Sequence, residues 1–525
     1  MVQMLHRSKK QSLFIKIDIA KAFDTVNWPY LLEVLRHFGF GHHWLNWISN
    51  LFSTSSSQVL LNGSPGMRIN HAKGLRQGDP LSPMLFIVAM EPFHRIIKAA
   101  ESANVLALIG VRSGIFRCSL YVDDVAVFAL PNPDDLNALS RILSCFAQIS
   151  GLHSNINKTE IFPISCNGID MQQLLAGWPG QIKNFPCRYL GLPLHFRKLR
   201  KIDFLPLIDK IGARLPAWKG RFFTSAGHQT LVNSVLSAMP MHHLTVLHAP
   251  KWVFKRIDRF RRSFLWKGED PDHSNPSDSL VNWQTVCKPK SLGGLGLPDL
   301  DRFSRALRLR WLWFKWKEVD KPWVGMNVPC DEMDTRLFQA ATTITIGDGA
   351  KTSFWHDNWI QNRCLKDIVP SCFSLAKRKQ RSVQMEMRDN RWLTSFRQFT
   401  SVEQIHDLVQ LGGLLQLVSL SQDPDNITLN WTESGVYTTK SAYLFQFEGS
   451  FATNEFDSLW KSPTEPKIKF FGIGLAIGYV AFVVVPLKIQ IICSVTPKAP
   501  CHCDYEFHIE GDLQLDSQIF KCLLD

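Results

Sequence analysis

The stretch that most constrains the fold is "SLYVDDVAVFA", residues 119–129, in which two acidic residues separate two short apolar runs. Each run has the length and composition of a buried strand, so the segment predicts a hairpin with Asp123 and Asp124 at its turn. Adjacent carboxylates repel each other, and each raises the pKa of the other unless a positive charge neutralises the pair. A solvated turn tolerates such a pair, so the hairpin alone leaves open whether the two acids have a function.

The first part of the chain interleaves predicted strands and helices. Residues 11–20 predict a strand that ends near Asp18, with alternate apolar residues on one face at Leu13, Ile15, Ile17 and Ile19. A helix begins at Asn27, carries Pro29 in its first turn and ends at Gly39. Further predictions are a helix over 42–52 with Trp44, Leu45, Ile48, Leu51 and Phe52 as its apolar stripe, a hairpin around Asn62–Gly66, a helix after "GLRQGDPLSP", and a helix over 134–150. This pattern predicts an α+β fold with helices packed on one face of a sheet.

Three carboxylates, those of Asp18, Asp123 and Asp124, lie at predicted strand ends or turns. If their strands are neighbours in one sheet, the acids converge on one spot. Carboxylate oxygens are the ligands that Mg²⁺ prefers. Two such ions about 3.5–4 Å apart activate an attacking hydroxyl and stabilise a leaving phosphate oxygen. The hypothesis is therefore two-metal phosphoryl transfer, in which the metal ions also offset the repulsion between the acids.

The charge balance indicates a polyanionic partner. Lys and Arg number 59 against 46 Asp and Glu, which gives a formal charge of +13 and a pI near 9.2. Such an excess favours nucleic acid ahead of a membrane surface. The 12 cysteines form no repeating framework and the first residues hold no legible signal, so we expect an intracellular protein, in the nucleus or cytoplasm.

The motifs "IDIAKAFDTVNW", "GLRQGDPLSP" and "YVDD" stand in the order and at the spacing found in reverse transcriptases. With "GLHSNINKTEI", "RYLGLPL", "SLGGLGLPDLDRFSRALRLRWLW" and "SGVYTTKSAYLF", the chain resembles non-LTR (LINE-type) retrotransposon enzymes common in plants, over most of residues 10–470. The resemblance implies a polymerase palm, an antiparallel sheet with helices on one face, at 1–165. It also implies the end of the palm with a primer grip and a helical thumb at 166–268, a helical basic and Trp-rich connector at 269–425, and a degenerate zinc-binding-like region at 426–525.

The same resemblance implies roles for single residues. Asp18 and Asp123 correspond to the principal metal ligands, and Asp124 to a ligand of second rank or a metal neighbour. Phe23 corresponds to the residue that packs under the incoming sugar and disfavours a 2′-hydroxyl; without the family it is equally a core aromatic. Gln77 and Gly78 correspond to the loop that contacts the nucleotide and template. Lys158 corresponds to the lysine that protonates the leaving pyrophosphate, or it is only a solvated lysine. Tyr189, Leu190 and Gly191 correspond to the primer grip.

Two basic, aromatic segments follow the predicted palm. Residues 251–268 place Phe254, Ile257, Phe260 and Phe264 on one helical face among Lys and Arg. This helix either contacts template–primer phosphates or only presents a solvated basic face. In residues 308–317, Trp311, Trp313 and Trp316 form either a buried stripe, the favoured interpretation, or a platform for stacking on bases.

The sequence departs from the family pattern at both ends. Only a few residues precede the first Asp motif, so the fingers and an upstream endonuclease are expected to be missing. At the other end, the apolar run 470–487 precedes Cys501, Cys503, His508 and Cys522, a spacing that is poor for tetrahedral zinc. We therefore expect no zinc, and we interpret the apolar run as the product of a frameshift or mispredicted exon, not as a membrane span.

The function predicted from the sequence is RNA-directed DNA polymerisation with two Mg²⁺ ions. The partners are an RNA template, a DNA primer and deoxynucleoside triphosphates, and nothing indicates the oligomeric state. The alternative is a catalytically dead retroelement remnant that only binds nucleic acid.

Overall fold

The computed structural model describes residues 1–109, 117–155, 157–214, 223–268, 281–318, 321, 323–324 and 326–449. The apolar run 470–487, the Cys and His residues of 501–522 and most of the predicted 268–279 boundary lie outside these residues. The predicted domain boundaries stay predictions. In the described part of the chain, none of the helices has the length and apolarity of a membrane span, and all eight cysteines are free thiols.

Helices and strands alternate through the first half of the chain, as the sequence predicts. The helices are α1 (Val2–Arg7), α2 (Ala22–Thr25), α3 (Trp28–His37), α4 (His42–Ser53), α5 (Ser82–Ser102), α6 (Pro133–Ser150), α7 (Met171–Leu174) and α8 (Lys201–Gly212). The strands are β1 (Ser12–Asp18), β2 (Ser56–Leu61), β3 (Ser64–Asn70), β4 (Cys118–Tyr121), β5 (Asp124–Ala129), β6 (Glu160–Ile164), β7 (Gln181–Ile182), β8 (Cys187–Tyr189) and β9 (Leu192–Leu194).

The central sheet has the strand order β4-β5-β1-β6-β7. The first four strands are antiparallel, and the two-residue β7 adds in parallel to β6. Residues Leu13, Ile15 and Ile17 of β1 belong to a core that includes side chains of α3, α5 and α6. The other face is also buried at Phe14, which joins a smaller core with residues of α1 and β8. Hydrophobic cores therefore cover both faces of β1. The alternation of apolar residues in its sequence predicts only the face that carries Leu13, Ile15 and Ile17.

Local sequence explains where several helices begin and end. Helix α3 follows Asn27 and has Pro29 in its first turn, where a missing N–H leaves no bond unmade. Helix α6 begins after Asn132, whose side chain accepts a hydrogen bond from the Asp135 amide, and ends before Gly151 at φ +79°. In α4, Leu45 and Ile48 are buried as predicted, but Leu51, placed in the apolar stripe from the sequence, is 59% exposed.

The second half of the described chain is not purely helical. Its helices are Ser225–Leu231, Met241–Val246, Lys251–Lys267, Trp283–Val286, Leu300–Lys317, Glu332–Ala340, Leu365–Ile368, Pro370–Leu375, Val383–Met387, Val402–Gln416 and Thr439–Phe445. A π-helical turn spans Val232–Leu236, and 3₁₀ turns span Lys290–Leu292 and Arg388–Thr394. Short strands β10 (Thr342–Thr345), β11 (Asn358–Ile360), β12 (Arg363–Cys364) and β13 (Asn426–Leu429) form two antiparallel pairs. The predicted helical connector therefore holds small sheets as well.

A separate hydrophobic core draws its buried members from Ala306 to Ala442. Trp355, 2% exposed, lies within it. Beside this core, the Asp425 carboxylate accepts hydrogen bonds from the amides of Gly347, Gly349 and Thr352. Burial alone would raise the pKa of Asp425, but these hydrogen bonds lower it below its ordinary value. One ionised carboxylate thus fixes the loop that follows β10.

Candidate active site

The acidic end of the sheet is built by β1 and the β4–β5 hairpin. Asp18 ends β1 and lies directly opposite Asp124, the first residue of β5. Directly opposed residues of an antiparallel pair project from the same face, so these two side chains share one face of the sheet. Val122 and Asp123 form the two-residue turn, and Val122 has φ +53°. The hairpin predicted for residues 119–129 is confirmed, with Asp123 in its turn. Asp124, also predicted in the turn, instead begins β5, because its backbone pairs with Tyr121.

Charges around Asp124 influence one another. Its pKa lies above the ordinary value because of burial first, and the carboxylates of Asp123 and Asp18 raise it further. The Lys16 ammonium opposes both effects. Lys16 precedes Asp18 by two residues and therefore shares its face of β1. The expected convergence of three acids at one end of the sheet is thus visible in their electrostatics.

The acids nevertheless do not form a closed metal site. Across the described ranges, no group of three or more His, Cys, Asp or Glu side chains is close enough to hold a metal ion. Asp123 occupies the turn, whereas Asp124 occupies the first position of β5. The donor set still suits Mg²⁺, since all three side chains are carboxylates, and burial together with the neighbouring acids keeps the pKa of Asp124 above its ordinary value despite Lys16.

Lys158 lies at this acidic end. Its Nζ is 3.7 Å from Asp18 Oδ2, and its side chain is 70% exposed. The loop that carries it is bonded to the end of β1, because Asn155 N donates to Asp18 O at 2.6 Å and Ala20 N donates to His153 O at 2.8 Å. The structure therefore brings Lys158 to the predicted metal ligands.

The predicted nucleotide contacts lie on two segments that are held together. The ring of Phe23 stacks on Phe86 with centroids 4.8 Å apart. Leu75 N donates to Phe23 O at 2.6 Å, and Gln77 Nε2 donates to Asp24 Oδ1 at 3.3 Å. Gly78 has φ +87° and open space around its Cα, which permits close approach of a ligand to the backbone. Phe23 is thus partly a core aromatic and partly a neighbour of the Gln77 loop.

The predicted primer grip is the turn between β8 and β9. Leu190 and Gly191 form this turn with positive φ, and the Tyr189 hydroxyl donates to Ser119 Oγ at 3.2 Å. Burial raises the pKa of Tyr189, and the nearby Asp124 carboxylate raises it further. The turn is therefore attached to β4 and lies near the acidic end of the sheet.

Three further residues contact this region and were not found from the sequence. Lys16 could have been inferred, since it alternates with Asp18 on one strand face. Asp24 binds Gln77, and His242 Nε2 donates to Leu190 O at 2.9 Å across the turn. No local pattern indicates either contact, because each joins segments that are distant in sequence.

The two basic, aromatic helices are mostly packed against the protein. Phe254, Ile257 and Phe264 of Lys251–Lys267 are buried, which confirms the predicted face for these three. Trp313 of Leu300–Lys317 is buried, and Trp311 Nε1 donates to Thr245 O at 3.0 Å. Trp316 is partly buried against the same core as Trp313. The structure therefore favours the packed stripe over a stacking platform, with Trp313 as its only fully buried member among these three.

Comparison with known proteins agrees with this geometry. The chain is 26% identical over 285 residues to the transposon TX1 uncharacterized 149 kDa protein of Xenopus laevis, covering 51% of this chain and 20% of that protein. It is 24% identical over 314 residues to a retrovirus-related Pol polyprotein from the type-2 retrotransposable element R2DM of Drosophila melanogaster, covering 58% of this chain and 28% of the polyprotein. The chain thus spans less than a third of the length of these curated relatives.

Two further comparisons concern a structure and a family. Telomerase from Candida albicans, solved in complex with a fragment of telomeric RNA, superimposes with a TM-score of 0.28 at 12% identity, over 62% of this chain and 52% of that one. Residues 2–194 match the family model described as reverse transcriptase (RNA-dependent DNA polymerase).

Proposed function

We propose, from the premise that residues 2–194 are a reverse transcriptase domain, that this chain extends a DNA primer on an RNA template with deoxynucleoside triphosphates. The observation that carries the proposal is the placement of Asp18 opposite Asp124, with Asp123 at the adjoining turn. The family match covers all of these residues as well as the predicted nucleotide contacts.

The carboxylates of Asp18 and Asp123 would hold Mg²⁺, with Asp124 beside them. When bound, the ions would favour ionisation of the primer 3′-hydroxyl and offset the charge that develops on the phosphates. Lys16 limits the repulsion among the acids before nucleotide binds. Because Asp18 O accepts from Asn155 N and Ala20 N donates to His153 O, the end of β1 that carries Asp18 is positioned before substrate arrives.

Other residues of the chain would orient the substrates. Phe23, fixed by its stack on Phe86, would fill the space that a 2′-hydroxyl requires. Gln77, held by Asp24, would contact the nucleotide with the backbone of Gly78. Lys158 Nζ would leave Asp18 and donate its proton to the departing pyrophosphate, a motion that its exposure permits. Tyr189, Leu190 and Gly191 would support the primer end.

We extend the proposal to the context of the chain. The motif order favours a plant LINE-type element as its source. We also propose that the chain has the domain arrangement predicted from the sequence and that it is intracellular.

Primer extension tests the proposal. Purified protein is given an RNA template, a DNA primer, Mg²⁺ and deoxynucleoside triphosphates, beside the Asp123→Asn, Asp124→Asn double variant. A matched control, Asp134→Asn with Asp209→Asn, removes two exposed carboxylates on α6 and α8. We expect extension by the wild type and the control and a loss of about a thousandfold or more in the acidic-site variant. Salt-sensitive binding without extension would favour the nucleic-acid-binding remnant instead.

A further inference from the structure

A segment next to the candidate active site contains no acidic side chain. From Val34 to Gly78 the sequence holds no Asp or Glu. It holds Arg36, Arg68, Lys73 and Arg76 and four histidines. We call residues 42–73 of this segment the acid-free surface. They comprise helix α4, the β2–β3 hairpin and the link to Lys73. A surface that carries basic groups and no carboxylates of its own favours an anionic partner.

One side of α4 presents large apolar groups to solvent. Trp47 and Leu51 are separated by four residues, so they lie on one face of α4. Thr54, the residue after the helix, follows Trp47 by seven positions and continues this face. Trp47 is 66% exposed. It is the only tryptophan in the exposed class among those that the structure describes. Leu51 beside it is 59% exposed. Contiguous exposed apolar side chains, unlike isolated ones, mark sites of interaction.

The hairpin continues this face. Arg68 Nη2 donates to Thr54 O at 3.3 Å, and His71 N donates to Ser55 O at 3.1 Å, so the base of the hairpin adjoins the last turn of α4. Every residue of β3 is exposed, and so are most residues of β2. The hairpin therefore adds exposed apolar side chains at Val59, Leu60, Leu61, Met67 and Ile69.

We propose that the acid-free surface binds single-stranded nucleic acid and receives the template strand. Single strands are bound by grooves or faces that combine cationic groups with aromatic side chains on which bases stack. Trp47 supplies the stacking ring. Arg68, which is bonded to Thr54 and Ser56 where α4 meets the hairpin, and Lys73 supply positive charge on the same surface. The two residues that follow the surface are bonded to the Phe23 segment, since Gly74 N donates to Val26 O and Leu75 N donates to Phe23 O. A strand bound to the surface would therefore lead toward the predicted nucleotide contacts. The inference rests on the proposed function in naming the bound strand as template.

The test is direct binding without catalysis. A fluorescein-labelled single-stranded RNA of about 20 nucleotides is titrated with the full chain in EDTA, without nucleotides, and anisotropy is followed at several salt concentrations. We expect Trp47→Ala to weaken binding about tenfold, and Trp47→Phe to restore most of the affinity. The Arg68→Gln, Lys73→Gln double variant should reduce the slope of log K against log salt by about 1.4.

A matched variant separates a local from a general charge effect. Lys377→Gln with Arg378→Gln removes one Lys and one Arg that are exposed elsewhere in the chain. It should bind with the wild-type salt slope. Circular dichroism confirms that every variant is folded. Equal affinities and slopes for all variants would overturn the proposal.

The competing occupant of this face is a second copy of the chain. Light scattering without RNA over a range of protein concentrations tests for it. A concentration-dependent dimer that Trp47→Ala abolishes would overturn the proposal in favour of self-association. A monomer whose RNA affinity falls in Trp47→Ala supports it.

The two proposals fail in different ways. Loss of RNA affinity in Trp47→Ala, together with a wild type that extends no primer, would uphold the surface and reject polymerisation. An active wild type whose Trp47→Ala variant binds RNA normally would reject the surface alone.

Discussion

At the scale of single residues, the candidate active site depends on side chains that hold other side chains in place. Asp24 is one of them, since its carboxylate accepts from Gln77. Lys16 is another, since it opposes the mutual repulsion of the acids. Neither residue need touch a substrate to affect the reaction, because each fixes the position or charge of a neighbour that would.

Asp24→Ala tests this dependence. Loss of one exposed hydrogen bond corresponds to about 0.5–1 kcal/mol, so KM for deoxynucleotides should rise about two- to fivefold while kcat changes less. Steady-state primer extension measures both constants. Asp24→Asn keeps an acceptor oxygen and should behave as the wild type. Equal constants for the alanine variant would show that Gln77 needs no anchor.

His243 predicts a contribution to acid sensitivity. Burial lowers the pKa of His243 to about 4, and His242, Arg188 and Lys210 act in the same direction. Its Nδ1 has no hydrogen-bond partner within the described residues. Since the folded pKa is below the unfolded value of 6.5, the unfolded chain binds more protons, and stability falls as pH drops from about 6.5 toward 4.

His243→Leu should therefore match the wild type near pH 8. Near pH 4.5 it should retain roughly 1–2 kcal/mol more of the free energy of unfolding, a figure reduced for the partial exposure of the ring. Urea unfolding at the two pH values measures the difference. A constant gap between wild type and variant at both values would mean that His243 titrates normally in the folded chain.

At the scale of elements, the connection after α6 sets the position of the loop beside Asp18. Gly151 has φ +79°, and a Cβ there would lie 2.3 Å from the Thr25 carbonyl oxygen. The segment beyond it bonds to Ala20 and to the end of β1. Space for this close approach exists only because glycine carries no side chain.

Gly151→Ala should lower the free energy of unfolding by about 2–4 kcal/mol, because backbone strain and a backbone clash combine. It should also reduce primer extension, since His153 and Asn155, which are bonded to Ala20 and Asp18, would shift. Gly168→Ala is the control: Gly168 has φ +90° but open space around it, and its substitution should cost about 1 kcal/mol. Thermal unfolding compares the stability of the two variants. Equal losses of stability would show that the close approach of Gly151 to the Thr25 carbonyl oxygen contributes nothing beyond the positive φ.

Elements differ in how well sequence predicts them. Strand β1, helix α3 with Pro29 and the 119–129 hairpin were predictable, because alternation, a first-turn proline and paired apolar runs are local signals. Strands β10 to β13 have only two to four residues, too few for a period, and were missed. The three acids were correctly placed at one end of the sheet, but their exact spacing depends on the turn at Val122 and on Lys158, which no local pattern encodes.

At the scale of the whole molecule, the chain has separate hydrophobic cores. One surrounds the central sheet, and another is built from residues of the second half of the described chain. Their buried members do not overlap in sequence, so damage to one need not open the other. Asp425 and Trp355 belong to the second region, apart in sequence from every predicted site residue.

Trp355→Ala tests this independence. Removal of a fully buried tryptophan should cost about 3–5 kcal/mol. Hydrogen exchange followed by mass spectrometry should show lost protection in peptides of 340–430 and retained protection in β1 and β5. Leu444→Ala, at an exposed apolar residue, is the control for alanine substitution. Loss of protection throughout the sheet would show a single cooperative unit instead.

The strand order of the central sheet has a consequence for synthesis. Strand β1 pairs with β5 and β6, whose residues follow it in sequence by more than a hundred positions. At about 5–20 residues per second, a ribosome needs several seconds or more to deliver those partners. During that interval both edges of the apolar strand β1 are unpaired. Unpaired strand edges can pair with other chains and so promote aggregation. Translation products that stop before Ile164 should therefore be bound by chaperones and degraded far more than products that stop soon after it.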